Sequence, residues 1–111
     1  MSDRHVLTID LGTSGPKVAL FTLDGRHVDG DFEPVDLVFV GRHGVEQVPD
    51  DWWEGIVAAA SRLWARSSVD PATVAAVSVT SQWSGTVPVD DAGRPTHNAV
   101  IWMDARGAGV A

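Results

Sequence analysis

With 111 residues, 44% of them hydrophobic and 21% charged, the chain has the makeup of one folded globular unit and not of a disordered one. A net charge of −7, from 8 basic and 15 acidic residues, sets it against nucleic acid and anionic membranes as partners. With no cysteine there is no disulfide framework and no thiolate zinc site, and no apolar run is long enough to span a bilayer. The opening Met1-Ser2-Asp3-Arg4-His5 lacks the apolar core of a secretion signal, so the cytoplasm is the expected location.

Residues 5–11 predict a mostly buried strand, Gly12 to Pro16 a turn, and residues 17–23 a second strand. Asp24-Gly25 predicts a hairpin, because both residues tolerate positive φ, with a third strand starting near Arg26. Val35 and the Leu37–Val40 run are weaker strand signals. A helix is expected from Pro49, with Asp50, Asp51 and Glu54 at the positive end of its dipole. Trp53, Ile56, Val57, Ala60, Leu63 and Trp64 form its apolar stripe, and the helix should end near Ser67. After Asp70-Pro71, Val74 to Thr80 predicts a buried strand with Val77 and Val79 on one face. Thr86 to Val89 and Asn98 to Met103 predict further strands, and Asp104 would cap a helix starting at Ala105. The order β-β-β-α-β, an antiparallel opening followed by a helical crossover, indicates an α/β fold with a mixed sheet.

Three segments carry candidate chemistry. Asp10-Leu11-Gly12-Thr13-Ser14-Gly15 sits between two strands, with Lys17, the only lysine, just beyond. Phosphoryl transfer asks a protein chiefly for positioning and charge neutralisation. Asp10 can hold Mg²⁺ directly or through water, Gly12 lets backbone N–H groups approach a phosphate, Thr13 and Ser14 donate hydroxyls, and Lys17 supplies positive charge. A Gly-rich hairpin with an incidental Asp explains the short motif equally well. In Ser81-Gln82-Trp83-Ser84-Gly85, Gln82 and Ser84 offer hydrogen bonds to a polyol and Trp83 a flat apolar face. Read alone, Trp83 is better explained as core packing. Ile101-Trp102-Met103-Asp104-Ala105-Arg106, read alone, is better explained by a helix cap and a surface charge. Trp52 and Trp53 are expected to pack, and the histidines show no ligand spacing.

In order, the segments Ile9 to Val18, Val45 to Trp53, Ser81 to Gly85 and Asn98 to Arg106 resemble the N-terminal region of FGGY carbohydrate kinases, especially the xylulokinase-like members. The resemblance covers nearly the whole chain. It implies a ribonuclease-H-like, actin-like ATPase fold, with residues 1–111 forming the first part of the N-terminal domain. It implies ATP and Mg²⁺ as cofactors and a small sugar or polyol as partner, and it is compatible with a homodimer. Asp10 would handle metal and phosphate; Gly12, Thr13, Ser14, Gly15 and Lys17 would line the phosphates. Gln82, Trp83 and Ser84, flanked by Trp102, Asp104 and Arg106, would contact the substrate. Two departures stand out. The xylulokinase-like loop reads Gln-Met-His-Gly and the glycerol kinase loop Gln-Arg-Glu, where this chain has Gln82-Trp83-Ser84-Gly85. The Asp that precedes the helix-opening Pro is replaced by Val48, which leaves Asp50 as the candidate cap. Family members are several times longer, and their catalytic base, second phosphate loop and adenine pocket lie beyond residue 111. This chain by itself is therefore expected to be inactive.

Two other readings fit parts of the sequence. Asp10 to Gly15 also resembles the Asp-Thr/Ser-Gly-Thr/Ser loop of dimeric aspartic proteases, but Leu11 and the expected helix count against a mostly β enzyme. A non-catalytic sugar-binding relative or a degenerate remnant is the third.

Overall fold

The computed structural model describes residues 3–109. Strands β1 (His5–Gly12), β2 (Gly15–Thr22) and β3 (His27–Phe32) form the expected antiparallel meander. Gly25, with φ of 91°, lets the chain reverse between β2 and β3. The helix α1 (Pro49–Arg66) carries the chain across to β6 (Val74–Ser81), which lies parallel to β1, so the first sheet runs β3-β2-β1-β6. Between β3 and α1 in the chain, β4 (Val38–Val40) and β5 (Gly44–Gln47) pair with each other, and β7 (Ala99–Val100), after β6, completes a second sheet in the order β4-β5-β7. The mixed sheet and helical crossover are those expected, and an 18-residue helix leaves no room for the mostly β protease fold.

Alternation on β2 fixes the main core. Val18 and Leu20 point to α1 and pack on Ala59 and Leu63, with Leu7, Ile9, Ile56, Ala60 and Trp64 around them. The helix approaches closely because it presents Gly55 to Pro16; a Cβ at Gly55 would stand 3.1 Å from the proline Cγ. Its buried line is Gly55, Ala59 and Leu63, rotated from the larger residues of the expected stripe. Trp53 is therefore exposed, contrary to the expectation that it packs, whereas Trp52 joins a second core of Val45, Ala99 and Ile101. Arg62 and Arg66 on α1 bind Asp29, Asp31 and Glu33, bracing the helix against β3 and the segment that follows it.

Five local expectations give way. Strand β6 is not buried: Val77 is 57% and Val79 65% exposed, because β6 is the sheet edge and α1 lies over β2 and β3. Thr86 to Val89 holds only single bridges, Thr86 to Val100 and Val89 to Pro95, and the strand expected over Asn98 to Met103 shortens to β7. Asp50 does not cap α1; Val48 occupies that position without a side-chain bond, and its carbonyl accepts from the Asp51 N–H. Turns, not a helix, follow Asp104 through Gly109. There the Asp104 carboxylate makes the bond expected of a cap, accepting from the Arg106 N–H two residues on, and the Ala108 N–H donates to the Ala105 carbonyl, but the described residues go no further than turns. No helix among the described residues is long and apolar enough to cross a membrane.

Candidate functional site

The parallel pairing of β1 with β6 sets two of the candidate segments side by side. The Gln82 N–H donates to the Leu11 carbonyl at 2.8 Å, extending the ladder past the end of β6. That places Gln82 beside Thr13 in the two-residue turn between β1 and β2, where the Thr13 hydroxyl donates to Gln82 Oε1 at 3.5 Å. The third segment arrives from the other sheet: the Trp102 indole N–H donates to Thr13 Oγ1 at 2.8 Å. Thr13 is thus the point where all three meet. Trp83 is 72% exposed, so it is not a core residue of this chain, and Ser84 is exposed with φ of 53°.

Asp10 and Lys17 are cross-strand partners, both exposed on the sheet face opposite α1. Gly15, at φ of 141°, is buried under the backbone of Glu33 and Pro34. The Val35 N–H donates to the Ser14 carbonyl at 3.0 Å and the Glu33 N–H to the Pro16 carbonyl at 3.1 Å, clamping the turn from one side. A Cβ on Gly12 would meet nothing closer than 3.7 Å, so the chain itself does not demand glycine there. Among the described residues no three His, Cys, Asp or Glu side chains converge on a common metal position. Mg²⁺ typically takes one or two carboxylates together with substrate phosphates, and the lone exposed Asp10 fits that pattern.

Asp104 and Arg106 face inward, toward the second sheet. Asp104 Oδ2 accepts from the Val45 N–H at 2.7 Å and from Arg106 Nε at 2.9 Å, while Arg106 Nη2 reaches Glu46 Oε2 at 2.7 Å. Asn98 Nδ2 donates to the other Glu46 oxygen at 3.1 Å. Glu46 is only 4% exposed, so two of its neighbours satisfy a nearly buried carboxylate. The Arg106 guanidinium beside Asp104, helped by the Val45 and Arg106 N–H groups, holds the Asp104 carboxyl down at about 2 from the ordinary 3.8. Arg106, and after it Asn98, also lowers Glu46. A depressed folded value means that this stabilisation is complete above the ordinary carboxylate range and is lost as pH falls through the folded value. The melting temperature should hold down to about pH 5 and then fall toward pH 2. Arg106→Met should make part of that acid limb shallower, as thermal melts across pH 2 to 6 would show; Asp29 and Asp31, held down by Arg66 and Arg62, contribute to the rest.

Gln47, on β5, is the residue that the three candidate motifs do not contain. It is fully buried, its Nε2 donates to the Thr13 carbonyl at 2.7 Å, and its Oε1 accepts from Gln82 Nε2 at 2.8 Å and Trp52 Nε1 at 3.1 Å. Its sequence signals are its place in the Val45 to Trp53 segment of the resemblance and the polar Glu46-Gln47 pair ahead of the helix-opening Pro49.

The N-terminal domain of the FGGY family of carbohydrate kinases matches residues 5–111. The chain belongs to that family. Among its relatives are the glycerol kinases of Chromobacterium violaceum, 31% identical over 109 residues (97% of this chain, 22% of the relative), and Haloquadratum walsbyi, 32% identical over 107 residues (96% and 21%). The chain thus spans about a fifth of the length of the curated relatives it matches. Solved structures with the same fold include a xylulose kinase from Rhodospirillum rubrum, with a TM-score of 0.84 at 22% identity over 96% of this chain and 22% of that one. A xyloylose kinase from Brucella ovis gives 0.89 at 24% identity over 94% and 22%, and a gluconate kinase from Lactobacillus acidophilus gives 0.82 at 19% over 92% and 20%. The FGGY chain accordingly has the actin-like ATPase fold, and FGGY kinases use ATP as phosphate donor.

Proposed function

We propose that this FGGY protein transfers the γ-phosphoryl group of ATP to a hydroxyl of a small sugar or polyol, a pentulose such as xylulose being the first choice. The observation that carries the reading is Thr13, whose backbone belongs to the phosphate turn and whose hydroxyl joins both acceptor segments, through Gln82 and Trp102. Donor and acceptor elements thus share one anchor, which supports the alignment that in-line transfer needs. In the reaction the acceptor oxygen bonds to phosphorus as the bond from phosphorus to the ADP oxygen breaks, and the hydroxyl proton passes to a base.

Gly12, Thr13, Ser14 and Gly15 offer the phosphates a short turn, with Lys17 adding positive charge. Asp10 is placed to hold Mg²⁺ directly or through water; when bound, the ion neutralises phosphate charge. The exposed indole of Trp83 and the half-exposed Trp102 suit the C–H face of a five-carbon chain better than a three-carbon one. Ser84 offers a neutral hydrogen bond. Asp104 and Arg106 border the acceptor side and hold the turn that carries Trp102. The catalytic base is not assigned to any residue of this chain. Cytoplasmic location and a homodimer belong to the same reading.

The test is ADP release by the protein expressed from its complete reading frame, offered xylulose, other pentuloses, glycerol and gluconate with MgATP. A pentulose should give the highest kcat/KM. A protein that melts cooperatively yet releases no ADP with any acceptor would overturn the proposal.

A further inference from the structure

We infer that Gln47 is the positioning residue of a closed hydrogen-bond ring that couples the phosphate turn to the acceptor loop; the inference rests on the kinase reading for its functional sense. The ring runs from Gln47 Nε2 to the Thr13 carbonyl, from the Thr13 hydroxyl to Gln82 Oε1, and from Gln82 Nε2 back to Gln47 Oε1.

Its direction is fixed by chemistry. A backbone carbonyl only accepts and an indole N–H only donates. The Thr13 carbonyl and the Trp52 indole therefore set which way the Gln47 amide faces. Gln47 Oε1 then demands the amide nitrogen of Gln82, which turns Gln82 Oε1 toward the Thr13 hydroxyl. That hydroxyl, donating to Gln82, keeps a lone pair for the Trp102 indole N–H. One buried amide thus dictates the orientation of a side chain in each of the two loops.

Packing alone does not call for glutamine here. Gln47 is 0% exposed beside a core of Val45, Ala99 and Ile101, where leucine would fill similar space. A buried amide is tolerable only with its partners in place, so the ring makes one arrangement of the two loops much cheaper than any other. At 3.5 Å the Thr13 to Gln82 bond is the longest link. It is therefore the one that yields when a phosphate oxygen competes for the Thr13 hydroxyl, which would release Gln82 Oε1 to an acceptor hydroxyl.

The test uses the protein expressed from its complete reading frame. Gln47→Leu keeps the volume and removes every bond. With the best acceptor it should lower kcat by roughly 10- to 100-fold and raise KM for both ATP and acceptor, at a temperature where it remains folded. Leu63→Val, a core change under α1, should lose stability and leave kcat and both KM values unchanged. Gln47→Glu should recover toward wild type as pH is lowered. Its protonated carboxyl restores one donor and one acceptor, and none of the partners of Gln47 titrates. This variant also decides the matter if Gln47→Leu fails to fold. Wild-type kcat and KM values in a folded Gln47→Leu protein would overturn the inference. The indole N–H resonance of Trp102, assigned with Trp102→Phe, gives a readout free of catalysis. It should move in either Gln47 variant, at neutral pH for Gln47→Glu, and a stationary signal would also overturn the inference. A moving signal in a protein that phosphorylates nothing would keep the ring and remove the kinase reading.

Discussion

Gly15→Ala should cost about 3–5 kcal/mol, a large share of the roughly 5–15 kcal/mol that holds a domain of ordinary stability together. Two effects add. A φ of 141° is strained for any residue with a Cβ. The new Cβ would also lie 1.9 Å from the Glu33 carbonyl oxygen and 3.1 Å from the Pro34 Cα, both backbone atoms that no rotamer change can move. Relief requires residues 33–35 to lift off the turn, which breaks the bonds from Val35 to Ser14 and from Glu33 to Pro16. The urea midpoint of unfolding measures this directly. A midpoint equal to wild type would mean that the crossing segment is loosely held, and the phosphate turn with it.

Asp10→Asn should do the opposite, lowering phosphoryl transfer by roughly 100- to 1,000-fold with little change in melting temperature. The side chain is exposed at the end of β1, so the folded chain gains little from its charge. If the carboxylate meets Mg²⁺ at the phosphates, removing the charge should also raise the Mg²⁺ concentration needed for half-maximal rate. Undiminished kcat at limiting Mg²⁺ would remove Asp10 from the phosphate site. The two variants separate two roles, since Gly15 shapes the turn and the role proposed for the Asp10 carboxylate is to meet the metal.

What could be read in advance was local. The glycine turn, Asp24-Gly25 and the acidic start at Pro49 are each set by neighbours within a few residues, and β1, β2, β3 and α1 fall close to where those signals put them. Burial of β6 was not legible. Its valines describe a strand that prefers an apolar neighbour, but which helix lies over it is decided by topology. Strand β5 was missed because Glu46 and Gln47 are both buried, which erases the alternation that marks a half-exposed strand. As for the helix expected after Asp104, an Asp can cap a helix or close a turn with the same bond to the N–H two residues on, so the residue type did not distinguish the two. The site divides the same way. Thr13, Gln82 and Trp102 lay within the motifs, whereas the importance of Gln47 depends on partners at positions 13, 52 and 82 that only the fold brings to it.

The bond between Trp102 and Thr13 joins residues 89 positions apart. At a translation rate of about 5–20 residues per second, Thr13 leaves the ribosome roughly 5 to 20 s before Trp102 does. For that interval the antiparallel hairpin of β1 and β2 can already exist, but its turn lacks the Trp102 indole, and for the first part of it the Gln47 amide as well. The nascent chain therefore carries a preformed stem with an unfinished tip, and the binding turn takes its final shape among the last events of synthesis of this segment. Slowing translation between the codons for Gln47 and Trp102 would lengthen the exposure of that tip, and with it the period in which a chaperone or a protease can engage the chain.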